Sequence, residues 1–323
     1  MKFLDKLKLR RIAVAAAVGG TIFFGGNAVN AAPLDNDTWA FREAYITQSP
    51  STSVYEQDMT LVAPTFLVDV DSRAQVLQDG SFRMGGTFTW TYTNLKKNYS
   101  TNSTIPFYIE QLDTEMTLYV QRRGKWSKML LPGLPSGIAL LWKSTDSALM
   151  NEIMNAVKAV EVLKDTPDMR IMNVTLDGTK FADIMEKNSA ATFANLKGDK
   201  LTEEKEIFAR WLSAFKSTDI TFTWTVNKPT WTTATTAFDL TPIMRAYCRY
   251  VLDESAAGRV VLTDEERDLL DVMGYYSELH SYTTQVPATK DKMVNVPAGL
   301  QKAPENDDSL NDVFSEMTTV IKR

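Results

Sequence analysis

One cysteine and one histidine occur in 323 residues, and each scarcity closes off chemistry. With Cys248 alone, no disulfide can form within the chain, so stability has to come from a buried core. Cys248 lies in the helical-looking run Ala246-Tyr247-Cys248-Arg249, where a buried small hydrophobe and a thiol activated by Arg245 and Arg249 are the two readings. With His280 alone, HExxH and multi-histidine zinc sites are excluded, and a Ser-His-Asp arrangement would have to use that one residue. Neither a GxGxxG nor a P-loop pattern is present. Gly133-Leu134-Pro135-Ser136-Gly137 misses the G-x-S-x-G spacing of a nucleophile elbow and reads as a turn. Asp69 and Asp71 share a strand face, but two carboxylates fall short of the roughly six oxygens that calcium takes. The reading is therefore of a non-enzymatic chain with no catalytic residue, no metal and no cofactor.

Long apolar runs are also missing. Ile12–Phe24 is apolar for 13 residues, short of the ~20 needed to span a bilayer. It follows Lys2, Lys6, Lys8, Arg10 and Arg11 and precedes the small residues Val29-Asn30-Ala31, which is the pattern of a secretory signal over residues 1–31, with an uncleaved anchor as the alternative. This places the protein outside the cytoplasm, in the periplasm or cell envelope, and not integral to the membrane once the signal is removed. Without residues 1–31 the chain carries 30 basic and 39 acidic residues, a formal charge of −9. That balance argues against nucleic acid and against anionic membranes held by bulk charge.

What the chain does have is strand patterning. Thr114, Met116, Leu118 and Val120 alternate with Glu115, Thr117, Tyr119 and Gln121, and Arg123-Gly124 marks a tight turn before a return strand at Trp126. Asp79-Gly80 marks another hairpin. Thr-Phe-Thr-Trp-Thr occurs at residues 87–91 and again at 221–225, each with aromatics on one face and threonines on the other. Further strands are expected over 61–70, with Pro64 at an edge or bulge, and over 105–112, 170–176, 231–236 and 281–286. Helices are expected over 38–46, 147–163, 180–186, 202–215 and 242–252, and over 263–277 with Thr263 and Glu266 forming a capping box. The 147–163 helix rests on Leu149, Ile153, Met154, Val157 and Val160 at helical spacing. Residues 301–323 read as a polar linker followed by an amphipathic helix at 309–322.

Phe88, Trp90, Tyr92, Met116, Leu118, Val120, Phe222, Trp224 and Val226 would line one surface if their strands share a sheet. That surface is either a core packed under the helices or a greasy cavity that they cover loosely. Leu134, Ile138, Leu141 and Trp142, in an apolar segment broken by prolines and glycines, would be its cover or gate.

The segments Thr114–Lys128, Asn173–Lys187 (NVTLDGTKFADIMEK) and Ile220–Pro242 (with TFTWTVNKPTW and FDLTP) together resemble the LolA/LolB-like lipoprotein-carrier superfamily, and within it a group of secreted bacterial proteins. The resemblance implies an α+β fold over residues 32–300: a strongly curved antiparallel sheet, a half-barrel, with helices covering its concave face. It also implies a carrier for a lipid, acyl chain or other lipophilic ligand in the cell envelope. The segments at 130–142 and 245–280 and the tail helix have no counterpart in that pattern. The alternative is a structural or protein-interaction module of the envelope, docking a partner protein through the C-terminal helix.

Overall fold

The computed structural model describes residues 35–305 apart from 48–52, 65, 78–80, 95–98, 113–114, 131–146, 188, 190–192 and 194–196. Eleven strands form one sheet: β1 (Ser53–Ala63), β2 (Phe66–Val76), β3 (Phe82–Asn94), β4 (Tyr99–Leu112), β5 (Glu115–Arg122), β6 (Lys125–Leu130), β7 (Val157–Asp165), β8 (Met169–Leu176), β9 (Ile220–Asn227), β10 (Thr232–Asp239) and β11 (Glu278–Val286). The order across the sheet is β6-β5-β4-β3-β2-β1-β11-β10-β9-β8-β7, and every pairing is antiparallel. Neighbours in space are thus neighbours in sequence, and the last strand pairs with the first. The sheet is thus an antiparallel meander closed on itself in sequence through β1 and β11, with β6 and β7 as its two edges.

Local chemistry explains the strands. Arg123 (φ 48°) and Gly124 (φ 74°) both take positive φ, the requirement of the two-residue turn that joins β5 to β6 with Arg122 opposite Lys125. Pro64, lacking an N–H for a ladder, sits in the turn between β1 and β2. The first strand begins at Ser53.

Six helices are described: α1 (Asn36–Thr47), α2 (Ser147–Ala156), α3 (Gly178–Lys187), α4 (Gly198–Lys216), α5 (Thr241–Ala256) and α6 (Asp264–Tyr276). The last five pack in succession, each on the next. Their side chains Ile153, Phe181, Trp211, Tyr247 and Leu270 share one hydrophobic cluster with Met59, Val70, Leu118, Phe222 and Trp224 of the strands. Among the described residues, the helices lie mainly against β7 (α1 and α2), β11 (α5) and β1 (α6). The Thr263 capping box is present in both directions, with Thr263 N–H donating to Glu266 Oε2 at 2.6 Å and Glu266 N–H to Thr263 Oγ1 at 3.2 Å. Residues 245–280 are therefore an integral part of the helix layer and of β11.

Two expectations are corrected. The 147–163 helix ends at Ala156, and Val157 opens β7. Val157, Val160 and Val162 fit both a helical and an alternating pattern; their β-branched side chains favour the strand, and pairing with Leu176, Val174 and Met172 of β8 decides it. Helix α4 starts at Gly198, four residues before Thr202, which is an exposed residue of its first turns.

Both sheet edges are engaged. At the β7 edge, Val162 N–H donates to Asp37 Oδ2 of α1 at 3.1 Å. Arg170 of β8, 7% exposed, fixes α1 from below through Ala40 O (2.9 Å) and Glu43 (2.9 Å), and also bonds Asp165 (3.0 Å). These bonds hold the Asp165 carboxyl below its ordinary range. At the other end, residues 287–305 cross the outer face as a strap. Arg73 donates to Asp291 O, Lys292 pairs with Glu56 at 3.1 Å, and Val294 N–H donates to Gln75 Oε1 at 3.2 Å. Val294 and Leu300 bury against Tyr108, with Tyr119 and Trp126 beside them. The strap ends alongside β6, where Lys128 N–H donates to Pro304 O at 3.0 Å and Lys128 bridges Glu305 in parallel. A sheet edge otherwise presents a row of open backbone groups to any passing strand.

Candidate functional site: the inner face of the sheet

Side chains alternate across a strand, so register decides which residues share a face. One transverse row can be followed through every pairing: Val120, Phe107, Gly86, Ser72, Gln57, Thr283, Thr236, Trp224, Met172 and Val162. Val120 and Trp224 therefore point to the same side. By the period of two, Phe88, Trp90, Tyr92, Met116, Leu118, Phe222 and Val226 join them on the helix-bearing inner face. The threonines of both Thr-Phe-Thr-Trp-Thr runs lie on the outer face, where Thr89 meets Thr104 at 3.1 Å and Thr221 meets Thr175 at 3.3 Å.

The nine residues fall into two environments. On β9, Phe222, Trp224 and Val226 are sealed. Trp224 donates from Nε1 to Thr233 Oγ1 at 3.1 Å, and the Phe41 ring of α1 meets it edge-on at 5.6 Å. On β3, by contrast, Phe88 and Tyr92 are only partly buried, as is Phe66 beside them on β2. Phe66 stacks on Trp90 at 4.8 Å and Phe88 tilts against Phe107 at 4.4 Å. These rings form an aromatic rim where β2 begins and β3 ends. Met116, Leu118 and Val120 of β5 lie deeper. The expected cover residues Leu134, Ile138, Leu141 and Trp142 lie outside the described residues, as do the 1–31 signal and the 309–322 helix.

The middle of the face holds what sequence reading missed. Ser72, Gln57, Thr283 and Thr236 occupy four adjacent strands of the row and are 4%, 0%, 2% and 2% exposed. Ser281, two residues along β11, is equally buried and accepts from Gln57 Nε2 at 3.3 Å. Ser72 Oγ donates to Gln57 O at 3.4 Å. Beside Ser72, Gly86 lets β3 and β2 close on the inner side: a Cβ there would lie 2.2 Å from Asp71 O and 2.7 Å from Ser72 Cα. The signal for this patch was available only as polar residues at inward positions of apolar strands.

The other candidates resolve on the outer face or in the core. Cys248 is fully buried, and burial pushes its thiol up to about 12, the mark of a packing residue and not of an activated nucleophile. Asp69 accepts from Thr60 Oγ1 at 3.1 Å, and among the described residues no group of three or more acidic, histidine or cysteine side chains could hold a metal ion. His280 projects from the outer face between Asp239 (3.6 Å) and Glu278 (3.7 Å), at a shallow cleft of about 370 Å³ floored by Ala237. Asp58, at the same cleft, is raised above its ordinary value by burial and by the charges of Asp71 and Glu56. A carboxyl with a raised folded-state value favours the fold below its unfolded value and loses that contribution as pH rises through the folded one. Asp58→Asn should therefore raise the melting temperature at pH 7 and make no difference near pH 3; equal melting at both would show that Asp58 is fully solvated.

No family model and no curated protein sequence matches the chain. Among solved structures, the crystal structure of LprF from Mycobacterium bovis aligns with 83% of this chain and 98% of that one, at a TM-score of 0.38 and 10% identity, a likeness too weak to assign a family.

Proposed function

We propose that this protein is an extracytoplasmic carrier that holds a lipid or other lipophilic ligand against the inner face of β2–β5. The observation that carries this reading is the aromatic rim. Phe66, Phe88 and Tyr92 stay partly open at the mouth of a face that continues inward through Trp90, Phe107, Leu118 and Val120. Among the described residues, the more extensive helix contacts with the sheet fall on β1, β7 and β11.

A bent sheet would turn that face into a trough, and two features favour bending. Sheets of about ten or more strands tend to curl, because twist accumulates. The close approach at Gly86 brings β2 and β3 together on their inner side. The cover role proposed for Leu134, Ile138, Leu141 and Trp142 rests on their apolar character in a segment broken by prolines and glycines. The signal-like residues 1–31 supply the compartment.

Each methylene buried gains about 0.8 kcal/mol, so half an acyl chain suffices for useful affinity. Native mass spectrometry of protein purified from its own envelope should show co-purified lipid, and a fluorescent fatty acid should bind. Phe88→Ala with Tyr92→Ala should weaken that binding about tenfold, since two half-buried rings contribute roughly 1.5 kcal/mol. A clean apo mass with no probe binding sinks the proposal.

A further inference from the structure

We infer that the outer-face cleft floored by Ala237 binds a neutral saccharide, with the Tyr282 ring against one face of the sugar and Asp58, Asp239, Thr223 and Asn173 offered to its hydroxyls. The site lies on the opposite side of the sheet from the proposed lipid face and stands independently of the carrier reading.

Shape is the first argument. Register sets two outward rows side by side, Asp58–Tyr282–Ala237–Thr223–Asn173 and His280–Asp239–Thr221. In these rows Ala237 alone stops at Cβ, so the face drops there into a cleft of about 370 Å³, a size that suits a small molecule. Tyr282 is the cross-strand partner of Ala237, lines the same cleft and is 47% exposed. A half-open ring beside a one-residue notch is a flat apolar wall at the edge of a polar hollow. The C–H face of a pyranose covers such a wall while its hydroxyls point to the hollow.

The second argument is hydrogen-bonding chemistry. A sugar hydroxyl both donates and accepts. The lining answers both: the Asp58 and Asp239 carboxylates accept, the Thr221 and Thr223 hydroxyls do either, and the Asn173 amide does each through a different atom. Carboxylate acceptors give the stronger, charge-assisted bonds. The third argument is charge. The lining holds no lysine or arginine, and Glu278 on the far side of His280 adds a further carboxylate, so a phosphate or carboxylate ligand is repelled. A simple amine would be held by the carboxylates alone and would leave Thr221, Thr223 and Asn173 without a role.

The test is saturation-transfer NMR on the full chain with glucose, galactose, mannose, N-acetylglucosamine and maltose. At least one should take up saturation, most strongly at the C–H protons of a single ring face. Tyr282→Ala should weaken that sugar about tenfold, and Tyr282→Phe, which keeps the ring, should bind as the parent does. Ala237→Leu fills the floor and should abolish binding. These side chains point outward, so melting temperatures should stay close to the parent's. Should Ala237→Leu melt early, Asn173→Ala decides in its place, because it removes an amide without adding bulk; undiminished sugar binding there overturns the inference. No transfer to any of the five sugars, transfer that persists in a folded Ala237→Leu, or tighter binding of lysine amide, a small cation, than of any sugar would also overturn it. Maltoheptaose and maltose separate the sources: a gain with length marks a polysaccharide chain and equal binding a free small sugar, and either result supports a saccharide site. The lipid measurements above do not bear on this outcome, so the carrier and the saccharide site fail or hold separately.

Discussion

Gly86→Ala should cost more than about 3 kcal/mol, a large part of the roughly 5–15 kcal/mol that ordinarily holds a domain folded. The new methyl group would meet backbone, with Asp71 O at 2.2 Å and Ser72 Cα at 2.7 Å, and no rotamer change can relieve that. Overpacking a core by one methyl typically costs 1–3 kcal/mol when side chains can yield; here β2 and β3 themselves must part. Gly85→Ala is the matched control. Its Cβ would face outward and lie 3.6 Å from Tyr108 Cδ2 and Val294 Cγ1, both ordinary contacts, so stability should move by less than about 1 kcal/mol. Urea melts of the two variants separate a close strand approach from a general intolerance of substitution. If Gly86→Ala melts with the parent, the strands are not that close.

Trp224→Ala should be nearly as damaging, at about 3–5 kcal/mol, the usual range for truncating a sealed aromatic. It removes a fully buried ring, the edge contact with Phe41 and the donor to Thr233, whose hydroxyl is itself only slightly exposed. Trp224→Phe keeps most of the ring and loses the donor, so about 1–2 kcal/mol is expected. Both variants report on how α1 is held to β9, and a folded Trp224→Phe should bind the fluorescent fatty acid as the parent does. Loss of less than about 1 kcal/mol in Trp224→Ala would mean that the helix layer is not seated on this strand.

Much of the sheet could be read from local pattern. The alternation at 115–121, the Arg123-Gly124 turn and the two Thr-Phe-Thr-Trp-Thr runs all assign faces correctly, because a period of two leaves one face for each residue. The capping box at Thr263 was legible for the same reason: its partners are three residues apart. Reading failed where the deciding partner is remote. Residues 157–163 satisfy two periodicities, and only β8 selects between them. The polar row is invisible along the chain, because Gln57 and Ser281 are 224 residues apart and become neighbours only through the β1–β11 register. The sealing of Trp224 involves Phe41 of α1, and nothing in the strand's own sequence encodes that contact.

The position of β11 has a consequence for how the molecule is made. Strands β1–β6 form one half of the sheet and β7–β10 the other, and Glu278–Val286 is the piece inserted between them. Until that segment exists, β1 and β10 are raw edges and neither half has its neighbour. Assembly must therefore wait for nearly the whole polypeptide, and the long loops to be closed make it slow.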